Sequence, residues 1–151
     1  KLPVTMACVR ETLRLYPPAL QILRDVAEPV ELDGIRVDRN AMIVIPVYAL
    51  HRSGLWWREP DAYRPERFLG QEGADPQAAA WIPFSKGERA CFGAAFAQLE
   101  LATFLGMIAD RYELAPNPAD PMRCTARLVL RPEADAPILL RPRDSARAVR
   151  T

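Results

Sequence analysis

The pattern of apolar and polar positions divides the chain into segments before any single residue is weighed. Residues 3–15, "PVTMACVRETLRL", are rich in helix formers, Pro3 suits a first-turn position, and Pro17-Pro18 closes the stretch, so a helix is predicted there. Residues 29–37, "PVELDGIRV", alternate around Asp33-Gly34, the signature of a two-residue hairpin. "AMIVIPVY" follows as a mostly apolar strand, in which Pro46 implies an edge or a bulge. Residues 51–83 are rich in proline, tryptophan and charge with little periodicity, and read as an ordered meander with short helical turns. From Ala94 to Arg111, Phe96, Leu99, Thr103 and Met107 form one stripe, with Leu101, Phe104, Leu105 and Ile108 beside it. That segment is apolar nearly all round, which predicts a buried helix. Beyond Tyr112 a proline-rich turn leads to "RLVLRPEADAPILLRP", read as a hairpin with strands near 127–131 and 137–141, and the tail is expected to fray. The fold class expected is mainly α with small β-hairpins, α+β, in one domain over 1–151.

Composition narrows the chemistry. The chain has 151 residues, half of them hydrophobic, which suffices for a core. Twenty basic and nineteen acidic residues leave a net charge of +1, without the basic excess of a nucleic-acid protein. The ten-residue run "AMIVIPVYAL" is too short to span a bilayer, so no membrane segment is expected here. The predominance of arginine over lysine and the abundance of alanine fit a GC-rich bacterial genome, and bacterial cytoplasm is the expected compartment. The three cysteines, Cys8, Cys91 and Cys124, are odd in number and far apart, hence no disulfide framework. With one histidine and no paired cysteines, a structural zinc site is not expected. A metal held by Cys91 would have a single protein ligand, which makes haem iron the leading candidate.

Cys91 lies in "PFSKGERACFG", just ahead of the second predicted helix, where free N–H groups favour an anion and hence a thiolate. Gly87 permits a tight turn, and Gly93 has no Cβ to obstruct a flat ligand on the helix start. Arg89 offers a fixed cation for a carboxylate, and Phe84 is placed to keep water from the sulfur. A lone cysteine is most often a small buried hydrophobe. Here F-x-x-G-x-R-x-C-x-G fixes five of ten positions, and together they describe a thiolate facing a large, planar, carboxylate-bearing ligand. A nucleophilic cysteine would need a base, and His51 carries no supporting motif.

"FSKGERACFG" resembles the haem-binding loop of the cytochrome P450 superfamily of haem-thiolate monooxygenases. "ETLR" at 11–14 is similar to the family's E-x-x-R, "PERF" at 65–68 to its meander motif, and "WREPDAYRPERF" carries the longer pattern from Trp57; "YALHR" precedes it. The four stretches stand in the family's order over essentially the whole chain. The resemblance implies the carboxyl-terminal portion of such a fold, with the oxygen-binding distal helix upstream of Lys1.

By that resemblance Cys91 is the proximal ligand of haem b iron, Phe84 lies near the sulfur, and Gly87 and Gly93 shape the loop. Arg89 and Arg24 would pair with haem propionates. Glu11 and Arg14, three apart on a helix, would in an arbitrary protein be a surface pair worth about 0.3–0.5 kcal/mol. The resemblance buries them with Arg67 as a structural triad clamping the meander under the haem. Ala19, Leu20 and Gln21, within "PALQIL", and Leu128, near the carboxyl-terminal hairpin, would line a pocket for a small apolar organic substrate. His51 is expected to be a hydrogen-bonded structural residue, Trp56 and Trp57 packing anchors, and Cys8 and Cys124 inert. Asn40 tolerates left-handed backbone where the family often has Pro-x-Gly. The implied activity inserts one atom of O2 into the substrate, with electrons from NAD(P)H through a ferredoxin or flavoprotein reductase docking near Lys86 and Arg89. Two other readings stay open: a peroxide-using or isomerase-type haem-thiolate enzyme, and a non-catalytic fragment.

Overall fold

The first element forms where the pattern places it. In the computed structural model, which describes residues 2–70, 79–116, 123–126, 129–133 and 138–143, helix α1 runs Pro3–Leu15 with Pro3 in its first turn. It buries Ala7, Val9, Leu13 and Leu15 and, among them, the charged Glu11 and Arg14. Strand β1 (Ile22–Asp25) pairs antiparallel with β4 (Met42–Ile45), Arg24 facing Ile43 in register. Between them β2 (Val30–Leu32) and β3 (Ile35–Val37) form the expected hairpin. Its turn residues Asp33 and Gly34 both have positive φ, 48° and 76°, as a primed two-residue turn requires. Asn40 is left-handed as well, at φ 66°.

Pro46 does not sit inside a strand. It ends β4 and caps the short helix α2 (Val47–Leu50), because its ring removes the N–H that a continuing ladder would need. The meander follows, with a 3-10 turn at Pro65–Phe68, a second one at Gly87–Arg89, and then helix α3 (Ala94–Arg111).

The carboxyl-terminal strands differ from the predicted hairpin. Strand β8 (Ile138–Pro142) pairs with β5 (Tyr112–Pro116), which continues directly from α3, and β6 (Cys124–Ala126) pairs with β7 (Leu130–Pro132). The smaller ladder is thus nested inside the larger one. Periodicity locates strands without naming their partners, and the proline-rich turn predicted beyond Tyr112 begins only at Pro116, the last residue of β5. The segment after Arg143 lies outside the described residues.

α3 has the predicted bounds but not the predicted burial. Only Ala102 is buried, packed with Val9 and Leu13 of α1 and with Met6, Trp81, Phe84 and Leu105 around them. Phe96, Leu99, Phe104 and Met107 stay 54–71% exposed. An all-round apolar helix needs partners on every side, and among the described residues its partners include α1, β5, Trp81 and Phe84.

Trp57 and Trp56 also part company. Trp57 is 1% exposed, donates its ring N–H to the Leu50 carbonyl at 3.2 Å and lies against Phe68. Trp56 is 43% exposed and is no packing anchor. Trp57→Ala should therefore cost roughly 3–5 kcal/mol of stability in denaturant unfolding, whereas Trp56→Ala should stay below about 1 kcal/mol.

Candidate functional site

Glu11 and Arg14 are both fully buried, which no surface ion pair would be. They meet as a fork: Arg14 Nε donates to Glu11 Oε2 at 2.8 Å and Nη2 to Oε1 at 2.8 Å. The guanidinium has donors left over, and each finds a carbonyl. Nη1 reaches His51 O and Pro60 O, both at 2.7 Å, and Nη2 reaches Ala62 O at 3.1 Å. The plane lies 5.1 Å from the centroid of the Trp57 ring. Glu11 Oε1 also accepts the Arg64 N–H at 2.8 Å and Arg67 Nε at 3.2 Å. Arg67 donates onward to Arg58 O and, at 2.8 Å, to Glu59 O. One carboxylate and two guanidiniums therefore hold five carbonyls of residues 51–62, and the meander is fixed although it has almost no regular structure.

A ladder of aromatic rings runs from this network to the cysteine loop. His51, Trp57, Phe68, Trp81 and Phe84 follow one another at centroid distances of 6.2, 6.3, 5.9 and 6.4 Å. Trp81 also donates its ring N–H to Arg10 O at 3.1 Å, tying the ladder to α1. Phe84 packs on the Val9–Leu13–Ala102 core, so its ring anchors the loop from below.

The loop turns on two left-handed residues, Ser85 at φ 64° and Gly87 at φ 76°. Gly87 was expected there; Ser85 was not, and a non-glycine residue in that region is held by its surroundings. Arg24 supplies the hold, donating Nη2 to Ser85 Oγ at 2.9 Å, with Nη1 on its neighbour's carbonyl. The Cys91 N–H then closes on Phe84 O at 2.8 Å, and Cys91 O accepts the Ala94 N–H of α3 at 3.2 Å. Cys91 thus stands two residues before Gly93, the N-cap of α3, with its side chain exposed. A Cβ at Gly93 would lie 3.8 Å from Cys91 Sγ, so the glycine keeps the flank of the sulfur clear. Arg89 and Lys86 are exposed on the same loop.

These features fit a haem. Cys91 is exposed, no Cβ stands at Gly93 beside its sulfur, and the cations Lys86 and Arg89 are exposed on the same loop. Among the described residues no three His, Cys, Asp or Glu side chains gather as a metal cluster.

Of the segments expected to line a pocket, 18–23 is bonded twice: Pro18 O accepts the Leu130 N–H at 2.9 Å, two residues past Leu128, and Leu20 O accepts the Tyr48 N–H at 3.0 Å. Ala19 and Gln21 are exposed and Leu20 is half-buried, while Leu128 lies outside the described residues. Cys8 is half-buried and Cys124 exposed, both as free thiols.

His51 is the residue whose importance the sequence least revealed. It is fully buried, with Nδ1 3.0 Å from Arg14 O and Nε2 accepting the Ile82 N–H at 3.0 Å. Burial, reinforced by the charges of Arg14 and Arg52, lowers its pKa to about 4, against the opposing pull of the Arg14 carbonyl.

A family model for Cytochrome P450 matches residues 1–139. Among curated relatives, Cytochrome P450 3A31 of Mesocricetus auratus is 34% identical over 91% of this chain and 28% of its own length. Putative cytochrome P450 137 of Mycobacterium tuberculosis is 37% identical over 91% of the chain and 29% of its own. Cytochrome P450 4A11 of Homo sapiens is 36% identical over 87% and 25%. The chain spans less than a third of the length of each of these.

Two outcomes follow from the network. Arg67→Ala strips Glu11 of a partner and frees two meander carbonyls, and it should cost about 3–5 kcal/mol, seen as lost expression or haem content; a stable, fully haem-loaded Arg67→Ala protein contradicts the clamp. His51 sets an acid limb. Above about pH 6.5 it is neutral folded and unfolded alike. Between about 6.5 and 4 the unfolded chain takes a proton that the folded one refuses, so stability falls with pH by up to about 3 kcal/mol and levels below. Denaturant midpoints across that range should decline in the wild type and much less in His51→Gln.

Proposed function

The chain belongs to the cytochrome P450 family, and from that premise we propose that the whole protein is a haem-thiolate monooxygenase whose proximal side is built by these residues. The observation that carries this reading is the exposed Cys91 sulfur, held at the start of α3 by its own N–H on Phe84 O at 2.8 Å. Haem b, when bound, supplies a redox-active iron that reduces O2, one oxygen atom entering the substrate and the other leaving as water.

The chain's residues perform the supporting tasks. Cys91, two residues before the Gly93 N-cap of α3, is the thiolate ligand. Phe84 and the core under it keep water from that side. Arg89 is placed to take a propionate, and Arg24, already fixed to Ser85, a second. Glu11, Arg14 and Arg67 keep the meander in place beneath them. Segment 18–23, bonded through Pro18 O to the Leu130 N–H, and Leu128 are assigned to the wall for a small apolar substrate. Lys86 and Arg89 give the loop a cationic rim for a ferredoxin or flavoprotein reductase that passes on electrons from NAD(P)H. The sequence corresponds to the carboxyl-terminal part of the fold, and bacterial cytoplasm is the compartment its arginine- and alanine-rich composition favours. No helix among the described residues is long and apolar enough to cross a membrane.

The open apolar face of α3 favours a second statement, about the 151 residues alone: they do not make a working enzyme. Phe96, Leu99, Phe104 and Met107 would need cover before a haem could be held in a dry site.

Reduced with dithionite under carbon monoxide, the full-length protein should give the red-shifted Soret band of a thiolate complex. Cys91→Ala should abolish that band with the apo fold retained, while the 151-residue chain titrated with haemin should not give it. A normal band in Cys91→Ala would refute the assignment.

A further inference from the structure

His51 touches none of the residues assigned to the haem, yet it connects two parts of the structure that must stay in register. On one side it is bound to Arg14 twice, through its ring nitrogen Nδ1 on Arg14 O at 3.0 Å and through its carbonyl, which accepts Arg14 Nη1 at 2.7 Å. On the other side Nε2 accepts the Ile82 N–H at 3.0 Å. A nitrogen facing a carbonyl must carry the hydrogen, and one facing an N–H must not. The ring is therefore neutral, in the Nδ1–H tautomer, and both of its nitrogens are used. It stands edge-on to Trp57 at 6.2 Å, which opposes rotation. The charged groups around it are the guanidiniums of Arg14 and Arg52, with the Glu11 carboxylate on the other edge of Arg14.

Ile82 is where the cysteine loop begins. Its carbonyl accepts the Ser85 N–H at 3.1 Å, which starts the left-handed turn, and two residues on Phe84 O accepts the Cys91 N–H at 2.8 Å. A continuous path thus runs from the buried ion pair through one imidazole to the sulfur-bearing backbone. We infer that His51 is a positioning residue for Cys91, its Nε2 fixing the height at which the loop presents the sulfur to the iron. This rests on the reading of Cys91 as the iron ligand. The bond from Nε2 to residue 82 sets the ligand, whereas the bond from Nδ1 to Arg14 only holds the ring.

Two substitutions in the full-length holoprotein separate these bonds. The side-chain nitrogen of His51→Asn lies near the place of Nδ1, keeping a donor for Arg14 O and leaving the Ile82 N–H without an acceptor. The oxygen of His51→Gln reaches the place of Nε2 and keeps that acceptor. Both variants should lose thermal stability. Only His51→Asn should also lose, several-fold, the fraction of its carbon monoxide complex with the red-shifted band, with a shifted haem reduction potential; His51→Gln should stay within about twofold of wild type. Equal band fractions and potentials in wild type and both variants, or a loss as large in His51→Gln as in His51→Asn, overturn the inference and leave His51 a stabilising residue only. A wild-type protein without the band refutes the thiolate reading itself, and the inference with it. Should His51→Asn not fold, amide exchange in wild type decides: the Ile82 N–H should exchange slowly at neutral pH, and exchange as fast as that of an open loop overturns the inference.

Discussion

The buried charge of Arg14 is the constraint on which the rest depends. A guanidinium cannot lose its proton to escape burial, so every donor must find an oxygen. Glu11 supplies two, and the remaining contacts go to the carbonyls of residues 51, 60 and 62. Those carbonyls belong to a segment with hardly any ladder or helix to satisfy them. The demand of the ion and the need of the backbone are met by the same bonds. The structure gains less from the pair's own attraction than from the way it prescribes a path for chain that has no regular structure.

That prescription extends to the cysteine loop by two routes. One is polar, from Arg14 through His51 to residue 82. The other is apolar, the ladder of rings ending at Phe84. Neither route alone places Cys91. A hydrogen bond fixes one distance, and packed rings fix a layer without fixing the rotation of the loop within it. Arg24 adds the third point by holding Ser85 in left-handed backbone. With three points held, the backbone that carries the sulfur has a defined position.

The sequence was most legible where one residue type has a single physical use. Asp33-Gly34 announced a turn with both φ positive, Pro3 and Pro17-Pro18 bounded α1, and glycines marked the loop around Cys91. It was less legible where the outcome depends on distant partners. Glu11 and Arg14 read as a surface pair by spacing alone; only the resemblance placed them with Arg67. His51 could be read as structural, but nothing local pointed to its bond with residue 82, thirty-one positions on. The pairing of β8 with β5 rather than with its sequence neighbour was hidden for the same reason. Strand patterns carry a face and a period but no address, and the proline in β5 sits at its terminal residue, where it costs least.

The burial of α3 is the instructive discrepancy, because the pattern was read correctly and the environment was not. A helix apolar on all sides states how much surface must be covered, not what covers it. In this chain α1 covers the stripe around Ala102, while the faces bearing Phe96, Leu99, Phe104 and Met107 remain open. Exposed apolar residues are common singly, but four large ones on a single helix make a contiguous apolar surface. Since the chain spans 28% of the length of a relative such as Cytochrome P450 3A31, the family fold includes far more structure than the described residues supply. Among the described residues the polar network and the cysteine loop are closed by their own hydrogen bonds, whereas α3 keeps an open apolar face. The cysteine loop is thus specified locally by hydrogen bonds, whereas the apolar faces of α3 are not covered by packing among the described residues.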